Sequence, residues 1–365
     1  MSLAIRGIGT ALPTHSIGQA EAAAVAKIIC CRNQEDEAVL SSLYRHTEID
    51  ARHMVFNGQV VEDVLQGKTE SGSVFLPSGK GDLGPTTRQR MQQYMEVAVP
   101  LALEAADRAL KQARLEPTAL THLVIVSCTG FSAPGLDFAL INGLGLPPTI
   151  ERVQIGFMGC HGAINGLRVA QAFADAQPDA RILLCAVELC SLHYYYGWDP
   201  KRMVANALFA DGAAAVVGDR GSLGESWRVT STGSYLFPNT AYAMTWDIGD
   251  HGFEMTLSTR VPGLIATHLR PWLSYWLQQN GLNLGPVASW AVHPGGPRIL
   301  SAVEGALGLG RPALAASRAI LAECGNMSSP TILFILDRLR QQQAPRPCVA
   351  LAFGPGLTAE AALFR

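Results

Sequence analysis

A cysteine close to two glycines stands where an apolar run changes into a helical pattern. Residues 156–170 read GFMGCHGAINGLRVA, with Cys160 in the turn. Residues 153–156 are typical of the end of a strand, and apolar residues then recur at helical spacing. The unpaired N–H groups at a helix start can lower the pKa of a thiol, and Gly159 and Gly162 would let a substrate approach the backbone. The turn therefore predicts that Cys160 is a reactive thiol. The alternative is that Cys160 is a small buried core residue.

The second half of the chain repeats the spacing of this site with other polar residues. Ser127 ends the run THLVIVS and precedes Cys160 by 33 residues, and His293 ends ASWAVH and precedes Asn326 by the same 33 residues. A duplicated strand–helix unit would place His293 at a strand end and Asn326 at a helix start. Alone, the histidine is typical of a turn and the asparagine of a helix N-cap. The matched offsets favour a catalytic Cys-His-Asn set in a shared crevice of an α/β sheet.

The elements that must position these residues alternate between helix and strand. Residues 88–115 have apolar positions at helical spacing, with Pro100 predicted to mark a kink or boundary. Apolar runs such as HLVIVSC, RILLCAVEL, AAAVVGD and CVALAFG read as buried strands. The fold class is therefore α/β, a sheet covered on both faces. We expect two halves, 1–222 with the cysteine and 223–365 with the histidine and asparagine.

Composition excludes several classes of protein. The 365 residues are 48% apolar and 16% charged, with a formal net charge of −2, which indicates a large buried core. No basic run predicts nucleic-acid binding. No apolar stretch approaches the roughly 18 residues of a membrane span, and the N-terminal apolar segment is too short for a signal peptide. We expect a cytoplasmic protein.

The eight cysteines are scattered, which fits free thiols in a reducing compartment better than a disulfide framework. Cys185, Cys190 and His193 could be considered as metal ligands. They lack a C-x-x-C pair and lie in and just after an apolar strand-like run. We therefore expect no metal site.

Five motifs, in order and spacing, resemble a known family. They are GFMGCHGAINGLRVA, ALFADGAAAVV, WAVHPGGPRIL, CGNMSSPTILFILD and AFGPGLTAE. They are similar to those of the type III polyketide synthases, the chalcone and stilbene synthase-like family of the thiolase superfamily, and to its bacterial members in particular. The resemblance covers most of the chain from about residue 88. It implies the five-layered αβαβα thiolase fold built from two pseudo-symmetric halves, a homodimer, and direct use of CoA thioesters without a cofactor.

The resemblance also implies roles for individual residues. Cys160, His293 and Asn326 match the family's triad, and Phe209 matches one of two gatekeeper phenylalanines between the CoA tunnel and the cavity. The thiolate of Cys160, stabilised by an imidazolium, would take an acyl group from an acyl-CoA. His293 and Asn326 would stabilise the enolate formed when malonyl-CoA loses CO₂. A decarboxylative Claisen condensation and cyclisation to an alkylpyrone, alkylresorcinol or related aromatic product would follow.

This sequence departs from the family pattern around the cavity. Met255 takes the place of the second gatekeeper, and a flexible thioether there favours long or flexible acyl starters. Cys128, Cys190 and His193 stand where plant enzymes have cavity threonines, although packing is the alternative role for the two cysteines. The other departures are Ala352 at the start of the Gly-Phe-Gly-Pro-Gly loop and Ala133 in place of a methionine that reaches across the dimer.

Two arginines are candidates for contact with CoA. Arg52, in the weakly matched N-terminal part, is expected to hold a CoA phosphate. Arg298, after HPGGP, is expected near the CoA tunnel. A solvated surface arginine is the alternative for both.

Three other functions remain open. A ketoacyl-ACP synthase III shares the Cys-His-Asn set, but its histidine is typically followed by Gln-Ala-Asn, whereas this one reads HPGG. A papain-like protease has the same order of residues but a different signature around its cysteine. A non-catalytic acyl-binding or scaffold protein would need no thiol at a helix start.

Overall fold

Strands and helices alternate along most of the chain. The computed structural model describes residues 2–79, 81–221 and 227–365, and within them are thirteen strands and eleven α-helices. The strands are β1 (Leu3–Ala11), β2 (Ser16–Gly18), β3 (Ala51–His53), β4 (His122–Ser127), β5 (Glu151–Gly156), β6 (Arg181–Leu189), β7 (Asp211–Asp219), β8 (Arg228–Leu236), β9 (Met244–Gly249), β10 (Gly252–Leu257), β11 (Ser289–Val292), β12 (Cys348–Gly354) and β13 (Thr358–Phe364). The helices are α1 (Gln19–Cys30), α2 (Gln34–Arg45), α3 (Gly58–Gln66), α4 (Thr87–Ala113), α5 (Leu136–Leu144), α6 (Gly162–Ala176), α7 (Pro200–Leu208), α8 (Val261–Gln279), α9 (Pro297–Leu307), α10 (Ala315–Cys324) and α11 (Thr331–Gln341).

Nine strands form one hydrogen-bonded sheet whose two halves repeat the same order. The sheet runs β11-β12-β13-β8-β1-β7-β6-β4-β5, and β8 joins β1 antiparallel at the centre. Outward from the centre, each half has two antiparallel pairings followed by a parallel one, β1-β7-β6-β4 on one side and β8-β13-β12-β11 on the other. The first half adds β5, parallel to β4, at the edge. This repeat matches the expected duplication.

Five layers pack around three large apolar cores. Alternate side chains of β4, β6 and β7 pack under α4 and α5 on one face, and α6 and α11 pack against the other face. The same central core includes one face of β11, β12 and β13, whose opposite face packs under α8 and α9. Side chains that alternate between two buried faces explain why these strands read as continuous apolar runs. The predicted αβαβα fold is confirmed.

Some boundaries differ from the sequence pattern. Helix α4 begins with a capping box between Thr86 and Gln89 and continues through Pro100 without ending. The expected boundary between the halves, at 222 and 223, lies outside the described residues. None of the helices in the described ranges is long and apolar enough to cross a membrane.

Candidate active site

Cys160 lies where β5 turns into α6. A short 3-10 turn, Gly159–His161, leads into the helix. Gly159 has a φ of 73°, and a Cβ there would lie 2.3 Å from the Pro355 side chain. The glycine is therefore needed for the conformation of the turn and for the approach of the β12–β13 loop. The space expected for a substrate beside it is filled by Pro355.

His293 follows the last residue of β11, as the sequence predicts. Its N–H donates to the oxygen of Leu351 at 2.8 Å, which extends the pairing of β11 with β12 by one residue. Its side chain is buried, and neither ring nitrogen has a hydrogen-bond partner among the described residues. The imidazole is therefore free to exchange protons with a neighbour or a substrate.

Asn326 lies in the loop between α10 and α11. Its N–H donates to Leu208 O at 3.0 Å and its carbonyl accepts from Ala210 N at 2.8 Å. Its backbone is therefore bonded to the residues on both sides of Phe209. Its Oδ1 accepts from Ser328 N at 2.8 Å, which leaves its Nδ2 donors free of that contact. The expected helix start is wrong, because α11 begins only at Thr331 and Asn326 shapes the preceding turn.

The structure brings the three predicted catalytic residues to one buried chamber. Cys160, His293 and Asn326 all line it, although they come from three separate loops. The chamber's other walls are Val204, Ala205, Leu208, Phe209, Met244, Met255, Leu257, Gly295, Ile299 and Phe353. We name it the triad chamber. A thiol, an imidazole and an amide facing one apolar space can support acyl transfer and oxyanion stabilisation.

A second cavity adjoins the triad chamber. The predicted cavity residues Cys128, Cys190 and His193 line it, together with Cys160. Five residues line both spaces: Cys160, Ala205, Phe209, Met244 and Met255. We name the second space the acyl cavity. The two expected gate residues thus lie at its boundary with the triad chamber, and Met244 is a third boundary residue that the sequence did not single out.

Burial disfavours the charged forms of both Cys160 and His293. It raises the pKa of the Cys160 thiol to about 12, against a 3.5 Å hydrogen bond donated by the Ser328 hydroxyl. It lowers the pKa of His293 to about 3. Neither group carries a charge by itself near neutral pH. Both groups are therefore neutral in the resting site, and a thiolate on Cys160 would be favoured by a proton placed on the His293 ring.

Glu188 is a buried carboxyl group that is hydrogen-bonded to residues in and beside the wall of the acyl cavity. It accepts from Cys128 N at 2.9 Å, from Thr129 Oγ1 at 2.8 Å and from Ser329 Oγ at 2.7 Å. Burial raises its pKa to about 7 despite these donors. Its signal in the sequence is a lone acidic residue inside the apolar run RILLCAVEL, and sequence reasoning missed it.

Cys128 and His193 make packing contacts around the acyl cavity. The Cys128 sulfur accepts from Gly159 N at 3.0 Å and so helps fix the turn that carries Cys160. His193 donates from Nε2 to Thr129 O at 2.6 Å and accepts at Nδ1 from Phe253 N at 2.9 Å, and it stacks on the Phe253 ring at 4.2 Å. Burial lowers its pKa to about 3. Both ring nitrogens are engaged, so His193 is a neutral wall residue.

The two arginines expected to contact CoA differ sharply in position. Arg52 is 1% exposed, and its Nη1 donates to the backbone oxygens of Asn206 and Phe209 at 2.8 and 2.6 Å. A buried guanidinium cannot reach a phosphate in solvent, so the expected role of Arg52 is wrong, and the residue instead fixes the end of α7. Arg298 is exposed in the first turn of α9, at a surface depression beside Glu48. Its contact with CoA stays a prediction.

Known proteins resemble this chain over nearly its whole length. The profile described as Chalcone and stilbene synthases, N-terminal domain, matches residues 2–221, and the profile described as Chalcone and stilbene synthases, C-terminal domain, matches residues 228–365. The Mycobacterium tuberculosis protein named alpha-pyrone synthesis polyketide synthase-like Pks18 is 34% identical over 370 residues, which cover 99% of this chain and 90% of the relative. The 1,3,6,8-tetrahydroxynaphthalene synthase of Streptomyces peucetius is also 34% identical, over 99% of this chain and 92% of its own.

Solved structures give the same result. The crystal structure of PKS-I from the brown alga Ectocarpus siliculosus has a TM-score of 0.92 at 33% identity, covering 100% of this chain and 98% of that one. The type III polyketide synthase domain of Steely1 from Dictyostelium has a TM-score of 0.88 at 28% identity. These matches favour one family over the ketoacyl-ACP synthase III and the papain-like protease that the order of Cys, His and Asn left open. The chain belongs to the chalcone and stilbene synthase family, the type III polyketide synthases.

Proposed function

We propose that the protein loads an acyl-CoA starter on Cys160, extends it with malonyl-CoA by decarboxylative Claisen condensation, and cyclises the product. The observation that carries the proposal is the triad chamber, where Cys160, His293 and Asn326 face one buried space beside a second cavity. Pks18 is named for alpha-pyrone synthesis, and the Streptomyces relative for an aromatic tetrahydroxynaphthalene. Those names support an alkylpyrone, an alkylresorcinol or a related aromatic product.

Loading begins with the proton of the Cys160 thiol. His293 accepts it as the sulfur attacks the thioester carbonyl, so negative charge moves from sulfur to the carbonyl oxygen. The tetrahedral intermediate then expels the CoA thiolate, which takes the proton back from His293. The starter is left as a thioester on Cys160, and the imidazole returns to its neutral form for the next step.

Extension uses the amide and the imidazole as oxyanion donors. Malonyl-CoA loses CO₂, and the electron pair of the broken C–C bond forms an enolate whose oxygen accepts from Asn326 Nδ2 and from a His293 N–H. The enolate carbon attacks the acyl–Cys160 carbonyl, the carbon–sulfur bond to Cys160 breaks, and the departing thiolate takes up a proton from water to regenerate the thiol. Removing one such donor typically costs about 10²–10³ in rate. The product is a β-ketoacyl-CoA that can be loaded again.

The boundary between the chambers supports long acyl starters. Met244 and Met255 line both chambers together with Phe209. A thioether has more freedom to move aside than an aromatic ring, so Met255 beside Phe209 makes a more adaptable passage than a second phenylalanine would, and Met244 adds a further flexible wall residue. We propose that medium- or long-chain acyl-CoAs are better starters than coumaroyl-CoA.

A homodimer is part of the proposal. Strand β5 is an edge strand with an exposed, alternating face, and an unpaired edge invites pairing with another chain. Phe131 and Phe157 lie in the loops that follow β4 and β5; they are 51% and 39% exposed, and their rings are 6.1 Å apart. A second copy of this chain would cover this surface. Sedimentation should give a dimer that Phe157→Glu weakens and that Tyr275→Glu, at an exposed position on α8, leaves intact.

The chemistry of Cys160 also indicates the cellular compartment in which the protein works. Cys160 must remain a free thiol to accept an acyl group, and a reducing environment keeps it so. We therefore propose that the protein works in the cytoplasm.

Product analysis tests the proposed function. Purified protein is incubated with malonyl-CoA and a panel of acyl-CoAs, and products are identified by mass spectrometry. We expect pyrones or resorcinols built from the starter acyl group and two or three malonyl-derived two-carbon units, with loss of water on cyclisation and of a further CO₂ where a resorcinol forms. Cys160→Ser provides the matched control, since it removes the thiol with little change in volume. No condensation product with any starter would contradict the proposal.

A further inference from the structure

The acyl cavity contains an ion pair between its two charged wall residues. Arg202 on α7 and Glu254 on β10 both line the cavity, and Arg202 Nη2 lies 2.6 Å from Glu254 Oε2. Of the described residues that line this cavity, only these two carry a formal charge. Their side chains are 25% and 38% exposed. The pair therefore lies between the cavity and solvent.

Arg202 also holds other parts of the cavity wall. Its guanidinium lies over the Tyr195 ring, 4.6 Å from the centroid, and its Nε is 3.5 Å from the carboxylate of Asp199, the N-cap of α7. Tyr195 lines the same cavity. One side chain thus joins α7, the segment before it and β10.

The pair sits beside the residues of the gate. On α7, cavity-lining positions recur at helical spacing from Arg202 through Ala205 to Phe209, just past the helix end. On β10, Glu254 is the immediate neighbour of Met255. Separation of α7 from β10 would therefore open the cavity to solvent and move both gate residues.

We propose that the Arg202–Glu254 pair is a latch that closes the acyl cavity to water and limits the length of the acyl chain that it admits. The proposal rests on the proposed function for its substrate. While the latch is closed, the thioester on Cys160 meets malonyl-CoA from the triad chamber and is shielded from water. Once it opens, water reaches the thioester carbonyl, the carbon–sulfur bond to Cys160 breaks, and a free acid leaves in place of a cyclised product. An opened latch also provides room for a longer chain.

Cavity cysteines provide a test that does not depend on catalysis. Cys190 lines the acyl cavity and is 8% exposed, so its alkylation by iodoacetamide reports access from solvent. We expect Arg202→Met and Glu254→Gln each to speed alkylation of Cys190 about tenfold at pH 8.5. In the wild type, 1 M NaCl should produce a similar rise, because it shortens the screening length to about 3 Å.

A matched ion pair elsewhere supplies the control. Arg338 and Glu323 join α11 to α10 at 2.6 Å with comparable exposure, and neither lines the acyl cavity or the triad chamber. Arg338→Met should leave the alkylation of Cys190 at the wild-type rate. With acyl-CoA and malonyl-CoA, the two latch variants should raise the ratio of free acid to cyclised product several-fold, while Arg338→Met should not.

Three results would overturn the latch. The first is that Cys190 is alkylated at the wild-type rate in both latch variants, and that 1 M NaCl does not raise this rate in the wild type. The salt experiment uses the wild type, so it decides the question even if a variant folds poorly. The second is an equal rise in Arg338→Met, which would indicate general loosening. The third is a raised KM for malonyl-CoA in Arg202→Met with unchanged alkylation, which would make Arg202 a substrate contact. A wild type without condensation activity would refute the proposed function, whereas the alkylation assay would still decide on the latch.

Discussion

Replacement of His293 by glutamine should slow the reaction of the Cys160 thiol with an electrophile by about 10³ near neutral pH. Burial raises the pKa of this thiol to about 12 and lowers the pKa of His293 to about 3, so both groups are neutral in the resting site and the thiol needs a base to take its proton as the sulfur attacks. A positioned general base contributes about 10²–10⁴ to the rate of such a step. Glutamine keeps much of the volume and a hydrogen-bonding group but cannot take the proton.

The assay measures the rate of Cys160 alkylation by iodoacetamide between pH 6 and 10, with peptides resolved by mass spectrometry. At pH 7.5 we expect a loss of about 10³ in the variant, with a profile that still rises at pH 10. Cys190, in the same protein and the same cavity, is the internal control and should react at its wild-type rate. Superimposable profiles for Cys160 in the wild type and His293→Gln would refute the role of His293 as the base that takes the Cys160 proton.

Three other substitutions test separate parts of the site. Asn326→Ala should lower the rate of CO₂ release from malonyl-CoA about 10²-fold or more and slow acyl loading less, because the amide is needed where enolate charge develops; equal losses by CO₂ release and acyl-enzyme mass would contradict that role. Met255→Phe should shift kcat/KM toward shorter acyl-CoAs in a chain-length series, and an unchanged profile would show that Met255 is not a gate residue. Glu188 has a folded-state pKa of about 7 against about 4.5 unfolded, so the native state binds the extra proton and stability falls as pH rises through this window. Between pH 5 and 8, the free energy of unfolding in urea should therefore fall about 3 kcal/mol more for the wild type than for Glu188→Gln, whereas equal falls would mean that Glu188 does not titrate there.

The parts of the site that sequence predicts well are those fixed by local pattern. Cys160 and His293 each follow a buried strand, and the end of such a strand is readable from an apolar run and the glycines after it. The equal offsets from Ser127 to Cys160 and from His293 to Asn326 indicated a duplicated unit. The two halves of the sheet do repeat the same strand order. The fold class, and the meeting of Cys160, His293 and Asn326 at one chamber, therefore followed from spacing together with the family motifs.

The parts that sequence predicts poorly depend on packing between distant segments. Arg52 stands in a polar stretch that suggests a surface, yet α7 and the loop before Asn326 cover it. The cavity walls come from segments far apart in the chain, so neither Met244 nor the Arg202–Glu254 pair has a local signal. Burial likewise outweighs the expected lowering of the Cys160 pKa by the start of α6, since the loss of hydration acts on the whole charge.

The role of Cys160 as the acyl carrier is tested most directly by the intact mass of the protein after brief incubation with a medium-chain acyl-CoA. We expect a gain equal to one acyl group, located by peptide mapping on Cys160, absent from Cys160→Ala, and discharged on addition of malonyl-CoA with release of CO₂. An acyl adduct that persists in Cys160→Ala, or a wild type that gains no mass while it binds the acyl-CoA, would contradict this role, and the second result would identify an acyl-binding protein without catalysis.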